Sequence, residues 1–195
     1  RHCAQSRPDM VFLSETILKK QRQHWYCVQM QLSGFCFPIP HQSHSGGLCF
    51  LWKDNMDVRI TSYSSNHVDA SIHDDLSLPW TFVGFYGWPS QNNKWKSWDL
   101  LCSLRRRMSG PILFGGDFNE ILFQNKKRGG AYRSFASMSS FMDAIARAKL
   151  ADLGYAGIPF TWFRGNTEST RIAERLDRFM GLTEWTNIFK LFHIA

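Results

Sequence analysis

The chain has 195 residues, 44% of them hydrophobic and 20% charged, which suits a domain with one substantial core and excludes a disordered chain. Lys and Arg number 23 against 16 Asp and Glu, and the net charge of +7 favours a polyanionic partner such as nucleic acid. Five cysteines (Cys3, Cys27, Cys36, Cys49, Cys102) form no CxxC pair, which argues for reduced, mostly buried thiols. No stretch reaches the ~18 apolar residues of a membrane span.

In chain order, Met10-Val11-Phe12-Leu13 is a short apolar run that fits a buried strand. Residues 17–31 carry apolar positions at helical spacing. A strand entered through Gly46-Gly47 covers Leu48 to Trp52. Residues 57–63 and 66–73 alternate like two antiparallel strands around Ser64-Ser65-Asn66. Thr81 to Tyr86 is a further strand, ended by Gly87-Trp88-Pro89.

Asn92 to Met108 reads as a helix with Trp95, Trp98, Leu101, Cys102 and Leu104 on one side. Gly110-Pro111 breaks the chain before a buried strand, Ile112-Leu113-Phe114. Lys126 to Arg133 is a Gly-rich basic loop, and Ser137 to Leu150 an amphipathic helix. Phe160 to Phe163 and Ala173 to Phe179 are two late strands. With no repeat or linker, residues 1–195 read as one α/β domain, sheets covered by helices on their outer faces.

Three acids fall at or near strand ends: Glu15, Asp117 and Asp177. Strand ends are where a rigid scaffold presents reactive groups. Hard divalent cations take carboxylate oxygens and water. Hydrolysis of a phosphodiester needs such a cation to neutralise developing charge, and a group to orient the attacking water. A single strand-end Asp is more often a turn or helix cap, so the surrounding strings decide.

Gly116-Asp117-Phe118-Asn119 is the GDFN string of the endonuclease/exonuclease/phosphatase family, and Glu120-Ile121-Leu122 extend it. The resemblance continues in Pro8 to Thr16, Ser45 to Leu48, Phe85 to Pro89, Asp152 to Gly157, Phe160-Thr161-Trp162 and Glu174 to Arg178. In order and approximate spacing the chain resembles the endonuclease domain of a plant-type non-LTR (LINE-like) retrotransposon.

The resemblance implies a DNase I-like fold, a two-sheet β-sandwich flanked by helices, incomplete here. It implies Mg²⁺ or Mn²⁺ as the metal and DNA as the substrate. Glu15 resembles the family's metal-binding glutamate. Asp117 resembles the group that orients or deprotonates the attacking water, and Asn119 the amide that hydrogen-bonds the scissile phosphate. Tyr86 resembles the tyrosine that reaches a phosphate oxygen or the leaving group. Asp177 resembles the aspartate that holds a catalytic histidine in its working tautomer. These residues are expected to share one cleft.

Lys126, Lys127, Arg128 and Arg133 would grip phosphates around the cut, with a solvated basic loop as the equal alternative. Trp162 is expected in the core rather than the groove. His41, His44, His67 and His73 show no metal-ligand spacing and receive no role.

Two family elements have no counterpart in the sequence: an opening strand with an Asn, and a closing Ser-Asp-His, which His193 does not supply. With Arg1 in place of an initiating Met, both are expected to lie in missing flanks, and the 195 residues alone to have little activity. The leading expectation is a nuclear or ribonucleoprotein enzyme, without membrane attachment, that nicks DNA to prime a downstream reverse transcriptase domain. The alternatives are a catalytically dead remnant or nucleic-acid-binding module, and a phosphatase or RNase of the same fold.

Overall fold

The computed structural model describes residues 8–16, 32–37, 47–73 and 78–189, which belong to two compact units, Arg1–Phe85 and Tyr86–Ala195. The helix expected at 17–31 and the residues His41, His44, Ser45, Gly46 and His193 lie outside the described residues.

In the first unit, β1 (Met10–Leu13), β2 (Ser33–Phe37) and β3 (Leu48–Trp52) form an antiparallel sheet in the order β1-β3-β2. Leu48 to Leu51 are buried without alternation, the pattern of a strand covered on both faces. β4 (Asp57–Tyr63) pairs with β5 (His67–His73), and β5 with β6 (Trp80–Tyr86). β4 has no buried residue, whereas β5 and β6 are mostly buried, as befits an edge beside interior strands. Phe82 stacks on Phe50 at 4.9 Å and meets Phe12 edge-on at 6.1 Å, joining the strands of this unit through aromatic packing.

One expectation is corrected here. Cys102 is free and buried, but Cys49 is disulfide-bonded. The β2–β3 register sets Cys36 opposite Cys49. Spacing along the sequence could not reveal this cross-strand proximity.

In the second unit, α1 (Lys94–Arg107) leads through Gly110 to β7 (Ile112–Asp117). A two-residue strand, β8 (Lys127–Arg128), precedes α2 (Phe135–Ala148). β9 (Ala151–Asp152), β10 (Trp162–Arg164), β11 (Ile172–Glu174), β12 (Asp177–Gly181) and α3 (Thr183–Ile188) follow. β12 pairs with both β7 and β9, and β11 with both β10 and β8, every pair antiparallel.

The α1 and α2 faces meet through Trp98 stacked on Phe141 at 4.5 Å, with Phe118 against the same ring at 5.7 Å. Trp98, Leu101, Cys102 and Leu104 form the buried stripe of α1, but Trp95 is exposed. Lys149 takes the left-handed C-terminal conformation (φ 56°) that ends α2, and its N–H bonds Ala146 O at 3.0 Å.

The expected strand from Ala173 to Phe179 divides into β11 and β12. Arg175 and Leu176 leave one ladder for another: Arg175 N–H bonds Lys126 O at 3.0 Å, and Phe118 N–H bonds Leu176 O at 3.0 Å. Among the described residues no helix is long and apolar enough to cross a membrane.

Candidate active site

β7 is buried from Ile112 to Gly115 and opens to solvent at Gly116 and Asp117, so the apolar strand delivers an acid to its rim. Gly116 holds φ 137°, a conformation that a side chain would strain. Asp177, first residue of β12, stands directly opposite Asp117 in the ladder. Opposed residues of an antiparallel pair project to the same face with Cβ atoms about 4.5–5.5 Å apart.

Two like charges at that spacing are unfavourable. Burial holds the Asp177 carboxyl above its ordinary range, against hydrogen bonding from Thr161 and the charges of Arg178 and Arg175. Thr161 Oγ1 accepts the N–H groups of Leu176 and Asp177 at 3.1 and 3.0 Å, fixing the start of β12.

The turn after Asp117 is locked from several sides. Asn119 takes φ 56°, a left-handed conformation costly for most residues and tolerated best by Asn. In it, the Asn119 N–H donates to Asp117 Oδ1 at 2.6 Å. The Asn119 side-chain Nδ2 donates to Gly87 O at 2.8 Å, and Gly87 N–H donates to Asp117 O at 2.8 Å. A Cβ on Gly87 would stand 2.4 Å from Phe118 O, so only glycine admits this approach. Tyr86, the residue before it, is 5% exposed. Asp117, Asn119, Asp177 and the Tyr86-Gly87 turn therefore belong to one region of the second unit.

Beneath this turn lies a buried charge cluster. Lys94 donates to Asn119 O and lies 3.6 Å from Glu120 Oε2. Glu120 also accepts Ser137 Oγ at 2.5 Å and faces Arg133 Nε at 3.8 Å. Arg178 donates to Glu120 O at 3.0 Å and to Asp152 Oδ2 at 3.1 Å.

The basic loop divides. Lys127 and Arg133 both donate to the Glu174 carboxylate, which is 3% exposed. Burial pushes that carboxyl up, but the two cations outweigh it and hold it below its ordinary value. Arg128 is exposed. Lys126 lies 5.3 Å from the ring of Tyr155, whose face Arg175 covers at 4.0 Å.

Trp162, expected in the core, is instead exposed on β10 beside Phe163. β10 is a three-residue strand with no buried position, and the Phe163 ring is covered by the Arg171 guanidinium at 5.3 Å rather than by a core. Phe163, Arg128 and Arg171 line a groove of about 870 Å³.

Glu15 belongs to the first unit. It is exposed at the end of β1 with φ 54°, a strained value for a residue that is neither Gly nor Asn. The next residue, Thr16, anchors this turn by donating its N–H to Gly47 O at 3.1 Å.

A divalent metal is implied by the resemblance, and the donor chemistry fits one. Asp117 and Asp177, opposite each other in the second unit, offer hard carboxylate oxygens, the donor type that suits Mg²⁺ or Mn²⁺. Among the described residues no cluster of three or more His, Cys, Asp or Glu could hold a metal ion. Mg²⁺ usually takes one or two carboxylates and fills its remaining positions with water and phosphate oxygen.

Lys94, Gly87 and Glu174 carry parts of the site that the sequence reading did not assign. Glu120 stood in the extended GDFN string without a role. A lone Lys at a helix start reads as solvated, so nothing local marked Lys94.

The chain is similar in fold to three solved structures. The endonuclease domain of TRAS1, a telomere-specific non-LTR retrotransposon, aligns over 95% of this chain and 78% of that one, at TM-score 0.72 and 14% identity. The catalytic domain of Xenopus laevis APE2 aligns over 94% and 76%, at TM-score 0.67 and 11% identity. The 3′ phosphatase NExo from Neisseria, bound to product DNA hairpin, aligns over 90% and 77%, at TM-score 0.62 and 15% identity. The mixed α/β arrangement, with sheets flanked by helices, is the DNase I-like fold. No curated protein matches the sequence. The family model for the Endonuclease/Exonuclease/phosphatase family matches residues 1–181, and the chain belongs to that family.

Proposed function

We propose that this chain hydrolyses phosphodiester bonds in DNA, as the nicking endonuclease domain of a plant-type LINE-like retroelement. The observation that carries the reading is the Asp117–Asn119 turn. The backbone N–H of Asn119 fixes Asp117 Oδ1 at 2.6 Å, while the strained backbone and the Gly87 contact fix Asn119 itself.

Asp117 orients the attacking water and takes its proton. The Asn119 amide has two N–H donors, one of them engaged by Gly87 O. The second would meet a non-bridging oxygen of the scissile phosphate. Asp177, opposite Asp117, would orient a histidine acid/base. Tyr86 would contact the phosphate or the leaving group. Glu15 would hold the divalent metal, which supplies charge neutralisation for the phosphate when bound.

The +7 charge and the exposed Arg128 suit a polyanionic substrate. The extended GDFNEIL string favours DNA nicking over phosphomonoester release. On this reading the nick supplies the 3′ end from which a linked reverse transcriptase primes, and the protein works in the nucleus or in a cytoplasmic ribonucleoprotein.

The test is a supercoiled-plasmid nicking assay on the chain with any sequence that natively flanks it, run with Mg²⁺ and with chelator. Metal-dependent nicked circles support the reading. Phosphate release from 3′-phosphorylated ends without nicking would move it to a phosphatase, and no hydrolysis at all would move it to a remnant.

A further inference from the structure

Lys94 is an expensive residue where it stands. It is the first residue of α1, and a cation at a helix N-terminus opposes the helix dipole. It is also 4% exposed, and a buried ammonium loses its hydration. That burial lowers its pKa from the ordinary lysine value, with Glu120 opposing the shift. The first turn of α1 holds no acid that would offset either cost.

What Lys94 gains is specific. Its ammonium donates to the carbonyl oxygen of Asn119, the residue held left-handed, and Glu120 supplies the counter-charge at 3.6 Å. Three residues on, Ser97 Oγ accepts the N–H of Trp88 at 2.8 Å. The first turn of α1 thus grips both sides of one junction. Lys94 holds the Asp117-Phe118-Asn119 turn, and Ser97 holds the Gly87-Trp88 turn. Asn119 Nδ2 and Gly87 O then close the ring at 2.8 Å. Arg133 and Asp117 are the other charged groups that act on the ammonium.

We infer that Lys94 is a positioning residue for phosphodiester hydrolysis, fixing the left-handed backbone of Asn119 so that its two amides face Asp117 and Gly87. It does not touch the phosphate; it acts through Asn119. The inference rests on the function proposed above for Asp117 and Asn119, and its test has an arm that does not need activity.

The experiment compares Lys94→Met, Lys94→Gln and Lys94→Arg with the parent protein, together with any native flanks. The first readout is NMR: the backbone and side-chain amide signals of Asn119, and the exchange rate of its side-chain N–H with solvent. Lys94→Met should shift these signals and speed that exchange, and Lys94→Arg should largely restore both. Lys94→Gln keeps a neutral donor and serves if the Met variant does not fold. The second readout is kinetic: kcat for nicking supercoiled plasmid should fall by roughly 10- to 100-fold, the usual scale for a group that orients an active residue, with KM within about twofold. Ile145→Ala, a core change in α2, is the control for lost stability and should leave kcat unchanged. Asn119 signals identical in Lys94→Met and the parent would overturn the inference. So would kcat unchanged in Lys94→Met, or lowered equally in Ile145→Ala at matched melting temperature. Absence of hydrolysis in the parent would instead count against the proposed function and leave the NMR arm to decide on Lys94.

Discussion

Asp117 and Asp177 stand directly opposite each other across the β7–β12 ladder, at the rim of a strand buried behind them. Two carboxylates so placed destabilise the fold that carries them, and burial already raises the pKa of Asp177.

The first prediction follows from that shift. A carboxyl whose folded pKa is raised binds more protons folded than unfolded. Its contribution to stability is therefore complete below its ordinary value of 3.8 and is lost as pH rises through the higher folded value. Asp177→Asn removes the titration. Melting temperatures across the acid-to-neutral range should be higher at neutral pH in Asp177→Asn and should fall less steeply with pH. Equal slopes in parent and variant would refute the shift.

The second prediction separates the cations of the basic loop. Arg128 is exposed and should read phosphate. Arg128→Ala should weaken DNA binding and lower the slope of log affinity against log salt by about 1, with little change in melting temperature. Lys127→Met leaves the buried Glu174 with Arg133 alone. It should cost roughly 1–3 kcal/mol of stability, the scale for a buried polar group stripped of a partner. Because Glu174 is held below its ordinary value of 4.5, that contribution is present above this pH and is lost as pH falls through the folded value. Salt titration of binding and denaturant melts at pH 4 and 7 check both halves.

The third prediction concerns Gly87. A Cβ there would press on Phe118 O at 2.4 Å, and the turn that carries Asp117 and Asn119 would have to move. Gly87→Ala should destabilise by about 1–3 kcal/mol, as overpacking commonly does, and should also lower hydrolysis. Urea melts beside nicking rates measure this, and full activity in the Ala variant would show that the contact has no bearing on the site.

Much of this was legible in the sequence because periodicity and buried area agree. Ile112-Leu113-Phe114 read as a buried strand and is one, the stretch at 92–108 appears as α1 with shorter ends, and that at 137–150 as α2, displaced two residues toward the N-terminus. The paired strands at 57–63 and 66–73 stand within one residue of their expected limits. What escaped was set by partners far along the chain. β8 and β9 are two-residue strands made by the ladders they join, not by propensity. The break at Arg175-Leu176 arises from bonds to Lys126 and Phe118.

At the site, GDFN marked Asp117 and Asn119, but not the Lys94 and Gly87 contacts that hold them. Those contacts join residues 25 and 32 positions apart, beyond the reach of local patterns. Lys127 and Arg133 looked like their loop neighbours, because a charge run does not show which members turn inward to a buried carboxylate such as Glu174.

The most direct test of the account is Asp117→Ala in the plasmid-nicking assay, in Mg²⁺ and in chelator, on the chain with any native flanks. Asn119 N–H fixes the Asp117 carboxylate, and the proposed mechanism routes activation of the attacking water through it. The variant should fold as the parent does and nick slower by on the order of 10²- to 10⁴-fold, the range for loss of a general base. An Asp117→Ala protein that nicks at the parent's rate would contradict the account.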